Sequence, residues 1–324
     1  NWNFTVERQL PADFLVRGSY VGSRGIHERR EWEFNPAVGS ATASTSTTDA
    51  RRLFAPYYGS GLIGYMSNGV ARYNSFQASL LKRYSRGFTI QMNYTLSKSV
   101  DDSGSGLQGN SGGGSSVLPW YSPLYDTVLI GPSDFDHRHR IVTSYVWDIP
   151  FGNNMRGLAK GVLGGWQLTG VQQYQTGSPM TVVSGKDNSR TGIGRDRAVL
   201  TGLSVDRPAG VDPLNQWFNP AAFGQNPLGT FGTLGKGTLR GPSMFSWDMG
   251  VFKKIPLKGD RIGMQFRTEF FNIFNHPMFN NPATNLSDGN YGKITQTLGN
   301  AGSTQGDITS GGARVIQLAL KLTF

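Results

Sequence analysis

The stretch ARVIQLALKLTF, residues 313–324, decides the fold. From Ile316 onward every second residue is large and apolar, and the residues between are polar or small. A period of two residues predicts a β-strand, because successive side chains of a strand point to opposite faces of a sheet. One face of this strand is therefore apolar along its length, and the other is suited to water.

The same alternation recurs in residues 2–7, 88–97, 141–149, 166–175, 245–251 and 262–270. A tilted strand of about ten residues crosses a bilayer, whereas strands of soluble sheets have about five or six residues. The opposite face of these runs is rich in Gln, Asn, Thr and Ser, and it includes Asp248, Arg267 and Glu269. A last strand that ends in an aromatic residue, here Phe324, is typical of outer-membrane barrels, in which that residue is a barrel-assembly signal. The pattern predicts an all-β protein, an antiparallel transmembrane β-barrel; a soluble sandwich is the alternative.

Short and long connections alternate along the chain. Short turns join the predicted strands 1–9 and 13–23, 71–84 and 88–100, and 244–255 and 261–275. The connections 24–70, 101–137, 178–243 and 276–312 are long, and 150–164 is intermediate. Outer-membrane barrels have short periplasmic turns and long external loops. We therefore expect about ten strands of a larger barrel in the outer membrane of a Gram-negative bacterium, with a periplasmic C-terminus.

The composition excludes several classes of protein. The 324 residues include no cysteine, which excludes thiol catalysis, disulfides and cysteine-ligated metals. Mean hydropathy is −0.33, and no stretch approaches about eighteen consecutive apolar residues, so no transmembrane helix is predicted. The 44 glycines concentrate in loops such as 103–116, which we expect to be mobile. Since the chain begins with Asn1 and no signal peptide is visible, residues 1–324 are either a mature product or one C-terminal segment of a longer protein, and we favour the segment.

Seven groups of motifs carry a resemblance to a known family. They are YNSFQASL with KRY (73–80, 82–84), YTLSKS (94–99), DFDHRHR (134–140), GWQLTG with QTGSP (165–170, 175–179), WFNPAAF (217–223), LRGP (239–242) and RTEFFNIFNHP (267–277). Together they make the chain similar to the C-terminal part of the barrel of TonB-dependent outer-membrane receptors, of the Oar-like group. The resemblance implies a barrel of about twenty-two strands, occluded by an N-terminal plug domain. Residues 1–324 contain neither a plug nor a TonB box, so we expect both in a preceding part of the protein.

The resemblance implies a substrate transporter, not an enzyme, and no cofactor. The strands would form the transmembrane wall, and the loops 24–70 and 178–243 would contact the ligand first. Loop aromatics (Trp120, Tyr121, Tyr125, Trp217, Phe218) are compatible with sugars, peptides, siderophores or a protein cargo. Four polar residues of the inner face are candidates for contact with the plug or the substrate: Gln91, Gln265, Arg267 and Glu269. TonB and the barrel-assembly machinery are the implied protein partners.

Two kinds of segment suggest metal ligands. Asp134, Asp136, His137 and His139 lie within six residues, but Arg138 and Arg140 are interleaved or adjacent. A charged network at the external rim, bonded to neighbouring loops or to lipopolysaccharide phosphates, is therefore favoured over a metal site. Residues 187–197 and 288–290 loosely resemble calcium loops without the required spacing of acidic residues.

The net charge of +10 normally suggests nucleic-acid binding. The arginines lie instead at strand ends and loop edges: Arg24, Arg29, Arg30, Arg51, Arg52, Arg138, Arg140, Arg190, Arg195 and Arg197. Guanidinium groups pair with lipid phosphates, so we favour lipopolysaccharide over nucleic acid, with Arg138 and Arg140 as the candidate contacts.

Other functions remain open at this stage. A passive porin-like or adhesin-type barrel needs the same wall, and a soluble carbohydrate-binding sandwich needs surface aromatics. About ten strands that do not close would leave unpaired edges in lipid, so we expect the segment not to be stable alone in a membrane.

Overall fold

The computed structural model of the chain describes residues 1–102, 118, 119, 122, 124, 128–194, 196–258, 262–298 and 312–323. Within these residues a ten-stranded antiparallel sheet forms the body of the protein. Its strands are β1 (Trp2–Leu10), β2 (Phe14–Glu33), β3 (Ile63–Ser85), β4 (Phe88–Asp101), β5 (Gly131–Pro132), β6 (His139–Asp148), β7 (Trp166–Gln175), β12 (Met244–Lys258), β13 (Ile262–Phe271) and β14 (Val315–Thr323). The order is β1-β2-β3-β4-β6-β7-β12-β13-β14, with β5 paired to β4, so each long strand lies beside its neighbour in sequence.

The remaining elements lie in the connections. Strand β8 (Pro179–Met180) pairs with β11 (Leu239–Arg240), and β9 (Val199–Leu200) pairs with β10 (Phe223–Gly224). A short α-helix, α1 (Gly157–Leu163), and the 3-10 helices Thr45–Thr47, Asp49–Arg51 and Pro220–Ala222 are also present. No helix in the described ranges is both long enough and apolar enough to span a membrane.

The strand register separates two faces of the sheet. In β13 and β14, Phe266 lies opposite Leu320, and Arg267 lies opposite Ala319. We call the face of Phe266 and Leu320 the outer face, and that of Arg267 and Ala319 the inner face. Leu318, Leu320 and Leu322 are each more than half exposed, so in the described residues no second layer covers the apolar face of β14. Strand pairing continues both faces from β13 through β12, β7 and β6 to β4. The predicted alternation of apolar and polar residues along these strands is therefore confirmed.

Short and long connections lie at opposite ends of the sheet. Residues 11–13 and 86–87 connect strands at one end, which we call the short-turn end, together with the longer segment 149–165. Residues 34–62, 176–243 and 272–314 connect strands at the other end, which we call the loop end. The predicted alternation of connection lengths is therefore present in the fold.

Strands β2 and β3 are longer than predicted. The sequence indicated strands at 13–23 and 71–84, but the ladder continues to Glu33 and begins at Ile63. His27 has a positive φ of 62°, and the register shifts on either side of Glu28. The bulge changes the direction in which the following side chains point, so the alternation of residues 14–26 does not continue into the extension.

The long loops pack together into a folded unit, which we call the loop cap: residues 34–62, 176–194, 196–243 and 272–298. Its hydrophobic core consists of Met180, Val182, Ala198, Phe218, Ala222, Phe223, Leu234 and Leu239. Backbone hydrogen bonds join its segments, for example from Ala37 N to the Thr191 carbonyl at 2.8 Å. The motif 217–223 thus supplies core residues, and Phe218, a predicted ligand-contact aromatic, is buried instead.

Candidate functional site: the inner face and the loop cap

The curved inner face forms an open pocket in which a few polar groups lie among a mainly apolar lining. Gln91 of β4 and Glu269 of β13 line it, together with Ser144 and Asp248, and its volume is about 420 Å³. Four strand pairings separate Gln91 from Glu269, and the curvature of the sheet brings both to one concavity. Amide and carboxylate groups here can bind donor groups of a segment that enters the pocket.

The other two inner-face candidates lie beside Glu269. Arg267 donates to the Glu269 carboxylate at 2.9 Å, and its guanidinium lies 4.6 Å from the ring centre of Phe252. Gln265 is two residues nearer the short-turn end and lies opposite Lys254 and Lys321. The inner-face placement of all four predicted residues follows from the register, whereas their contact with a plug or substrate remains a prediction.

Four of the sequence motifs interlock at the loop end: 94–99, 134–140, 175–179 and 239–242. Arg240 of 239–242 donates to the carboxylate of Asp136 at 2.5 Å, to the Asp136 carbonyl at 3.0 Å and to the Gly177 carbonyl at 3.2 Å. Asp136 also accepts a 2.7 Å hydrogen bond from the backbone N–H of Ser99. We call these contacts of Arg240 and Asp136 the lock. The lock joins the ends of β4, β6, β7 and β12, so these motifs attach the loop cap to the ten-stranded sheet, which we call the wall.

The charged segment 134–140 bonds to its neighbours within the protein. His137 Nδ1 lies 2.7 Å from the Thr176 carbonyl, and His139 Nδ1 lies 2.9 Å from the Tyr94 hydroxyl. These contacts confirm the predicted network with neighbouring loops. Across the described residues, no group of three or more His, Asp or Glu side chains is placed to hold a metal ion.

Arg138 and Arg140 lie on the inner face, not at the lipid boundary. Arg140 lies opposite Thr95 and Gln175, and both of these positions belong to the inner face. Arg138 donates to the Ser97 carbonyl at 3.4 Å. Lipid surrounds the outer face of a barrel, so the predicted lipopolysaccharide contact does not fit these two positions.

Two buried ion pairs lie where the wall meets the loops. Arg30 donates to Asp102 at 2.9 Å, and both side chains are about 6% exposed. Lys236 of the loop cap forms an ion pair with Asp101 of β4. Asp101 lies opposite Ala71 on the inner face, so the loop around Lys236 approaches the wall from its concave side.

A buried polar network holds the interior of the cap. Asp196 accepts hydrogen bonds from Ser189 N at 2.6 Å, Ser189 Oγ at 2.7 Å and Asn226 Nδ2 at 2.9 Å. Burial raises the pKa of Asp196. The hydrogen bonds from Asn226 and Ser189 lower this pKa, and the neighbouring carboxylate of Asp187 raises it, but burial has the largest effect. Burial lowers the pKa of the adjacent Arg197 to about 10. The residues resembling a calcium loop thus bind one another.

The motif 267–277 ends β13 with an asparagine turn. Asn272 and Asn275 both have a φ of 51°, a left-handed conformation that Asn tolerates better than most residues. The Asn272 side chain donates to the carbonyls of His276 and Gly312 at 2.9 Å, and Asn275 accepts from Arg314 N. The turn therefore positions the start of β14, and His276 takes part in it through its backbone N–H and carbonyl.

Several predicted features lie outside the described residues. They are the assembly signal Phe324, Arg195, the glycine-rich loop 103–116, and the aromatics Trp120, Tyr121 and Tyr125. The buried ion pairs were missed at the level of sequence, because their members are far apart in the chain. The charged residues near the predicted strand ends were the only sign in the sequence that ion pairs form there. Residues 187–197 of the cap network were noticed, but only for their loose resemblance to a calcium loop.

Comparison with known proteins agrees with this architecture. The family model described as outer membrane beta barrel domain matches residues 1–317. A solved structure, the outer membrane transporter YddB from Escherichia coli, aligns with 99% of this chain and 32% of its own, at 12% identity and a TM-score of 0.47. The chain therefore spans about a third of the length of that transporter. No curated protein sequence matched the chain. The described residues form an antiparallel sheet with an apolar outer face, and the family model covers nearly every residue, so the chain belongs to the outer membrane beta barrel domain family.

Proposed function

We propose that the chain is the C-terminal wall of a TonB-dependent receptor of the Oar-like group, and that the complete protein carries a substrate across the outer membrane. The observation that supports this proposal most is the attachment of the loop cap. Its anchor on β4, Asp101, is an inner-face position that binds Lys236 of the cap, so the cap leans over the concave side of the wall. Covered access suits a gated transporter, whereas a passive pore needs an open mouth.

The proposed mechanism assigns a role to each surface. The outer face anchors the wall in lipid, and the inner pocket receives a plug domain from a preceding part of the protein. Gln91 and Glu269 offer hydrogen-bond acceptors to that plug or to the passing substrate. The loop cap contacts the ligand first, and a pull by TonB on the plug opens the path. The short-turn end and the C-terminus face the periplasm in this proposal.

Conductance of the complete gene product in a planar bilayer tests this function. We expect a closed barrel at rest and an open one after removal of the plug domain. Steady conductance at rest would instead support the passive porin-like alternative. The upstream coding region gives a second readout: a plug and a TonB box are expected, and further hairpins directly after a signal peptide would refute the proposal.

We also propose lipopolysaccharide as the lipid partner, at positions other than those predicted. Arg24 of β2 and Arg72 of β3 lie directly opposite each other on the outer face near the loop end. Lys98 lies on the same face, opposite Asn74. All three side chains are exposed, and in the described residues none forms a hydrogen bond or an ion pair. Like charges directly opposite each other repel, so a shared phosphate would stabilise them.

Lipopolysaccharide retained on the purified protein measures this contact. Arg72→Gln should lower the retained amount about fivefold, the effect of about one cation near an anionic surface. Arg17→Gln, on the inner face, is the matched control and should change nothing. Equal retention by the two variants would remove lipopolysaccharide from this position.

A further inference from the structure

The segment between β6 and β7 attaches to the outer face at the short-turn end. Lys253 lies opposite Phe266 and Trp166, and both of these positions are on the outer face. The Lys253 ammonium donates to the Val162 carbonyl at 3.0 Å and also to the Gly164 carbonyl. The indole N–H of Trp166 donates to the same Val162 carbonyl at 2.9 Å. The C-terminal carbonyls of α1 are therefore held against the side of the wall that faces lipid.

Helix α1 has almost no protein core of its own. It is seven residues long, and none of its residues is buried. Leu158 is 90% exposed and Val162 is 64% exposed, and Phe151, just before the helix, is 61% exposed. A helix this short is not stable in water without packing, so an apolar partner outside the described residues must cover it.

The charge of the segment identifies that partner. Residues 149–165 contain Arg156 and Lys160 and no acidic residue. The apolar side chains of Leu158 and Val162 are four residues apart and share a helix face, whereas Lys160 lies on the opposite face. An apolar face, a cationic face and a neighbouring Trp and Lys are the features of a helix in the headgroup region of a bilayer.

We propose that residues 151–163 are an interfacial membrane anchor, with Leu158 and Val162 in the acyl boundary and Arg156 and Lys160 on anionic phospholipid headgroups. The occupant of this surface is the leaflet at the short-turn end, because the segment continues the apolar outer face there. Only the naming of that leaflet as periplasmic depends on the proposed orientation. The anchor does not depend on TonB or on a plug.

Site-directed fluorescence in vesicles tests the anchor. Because the chain has no cysteine, the variants Leu158→Cys and Lys160→Cys each provide a single site for an environment-sensitive bimane label. The complete gene product, with any cysteine outside residues 1–324 replaced by serine, is placed in phosphatidylcholine vesicles with phosphatidylglycerol, with and without brominated acyl chains. We expect bromine to quench the label at 158 at least about threefold more strongly than the label at 160, with a blue-shifted emission at 158 only.

A charge variant separates lipid anchoring from simple apolar collapse. Arg156→Gln combined with Lys160→Gln should reduce the lipid-inserted population of the 158 label about fivefold per lost cation in phosphatidylglycerol vesicles. Vesicles of phosphatidylcholine alone should show no such difference. A 158 label that is quenched by aqueous iodide and not by brominated lipid overturns the anchor. A label shielded from both quenchers overturns it as well, because a protein partner then covers the helix. If the complete protein shows the expected conductance and is closed by its plug, but the label at 158 is exposed to water, the anchor is refuted and the proposed function stands.

Discussion

Replacing Asp102 with alanine should release the β2–β3 hairpin from the loop end of the wall. The carboxylate of Asp102 accepts hydrogen bonds from Arg30 at 2.9 Å and from Val70 N at 2.8 Å. Asp102→Ala removes both of these hydrogen bonds and takes the Asp102 carboxylate away from the Arg30 side chain, which is about 6% exposed. Breaking a buried ion pair by removal of one partner costs about 3–5 kcal/mol, which corresponds to a roughly 150- to 5,000-fold more frequent local opening.

Hydrogen–deuterium exchange of the protein in lipid vesicles measures that opening. Backbone amides of residues 24–33 and 63–70 should exchange faster by this factor, while amides of β13 and β14 should stay unchanged. Glu7→Ala is the matched control, since the cross-strand pair Glu7–Arg17 is about half exposed, and exposed pairs contribute little.

A double variant separates the lost charge pair from the lost volume. Arg30→Met with Asp102→Leu removes both charges, and most of the protection should return, because apolar replacement of a whole buried pair is often neutral. The reasoning is refuted if Asp102→Ala accelerates exchange in the hairpin no more than Glu7→Ala does.

Three further outcomes are expected. Leu318→Arg, on the outer face, should lower the free energy of unfolding in vesicles by about 2–4 kcal/mol, and Gln317→Arg on the inner face should not; equal effects in urea titrations would contradict the assignment of faces. Gly232→Ala would place a Cβ 1.7 Å from a backbone carbonyl and should destabilise the cap by about 1–3 kcal/mol in limited proteolysis, whereas Gly235→Ala has no atom within 4 Å and should be neutral. The folded cap raises the pKa of Asp196, so this group's contribution to stability is complete below about pH 4, the ordinary aspartate value, and is lost as the pH rises through the raised value. Asp196→Asn should remove that part of the pH dependence of hydrogen–deuterium exchange in the loop cap. An unchanged pH profile would show that other groups cause the dependence.

The transmembrane part of the fold could be predicted from the sequence because lipid imposes a strict rule on it. Each wall strand needs apolar side chains at alternate positions, so Leu318, Leu320 and Leu322 reveal both the strand and its outward face. The same rule placed Gln91, Gln265, Arg267 and Glu269 on the inner face. A one-residue slip would reverse every side chain, so the register is as strongly determined as the pattern itself.

The loop end could not be predicted in the same way because its contacts are distant in sequence. Arg240 binds Asp136 across 104 residues, and Lys236 binds Asp101 across 135 residues. No local period marks such pairs, and motif resemblance identified the segments without showing that they touch. The extension of β2 beyond residue 23 was missed for a related reason, since backbone hydrogen bonds in water require no apolar face.

The lock between residues 239–242 and 175–179 has a consequence for biogenesis. Strands β7 and β12 pair from Gln175 to Met244, although 68 residues, 176–243, separate them in the chain. Closing a longer loop costs more chain entropy before any strand contact forms. The hydrogen bond from Gly241 N to the Ser178 carbonyl, at 2.9 Å, joins the two ends of that loop, so a folded cap presents the strands to each other as a short hairpin. Insertion of the last three strands is therefore coupled to folding outside the lipid. A substitution deep in the cap should therefore lower the amount of protein in the membrane before it changes what the inserted protein does.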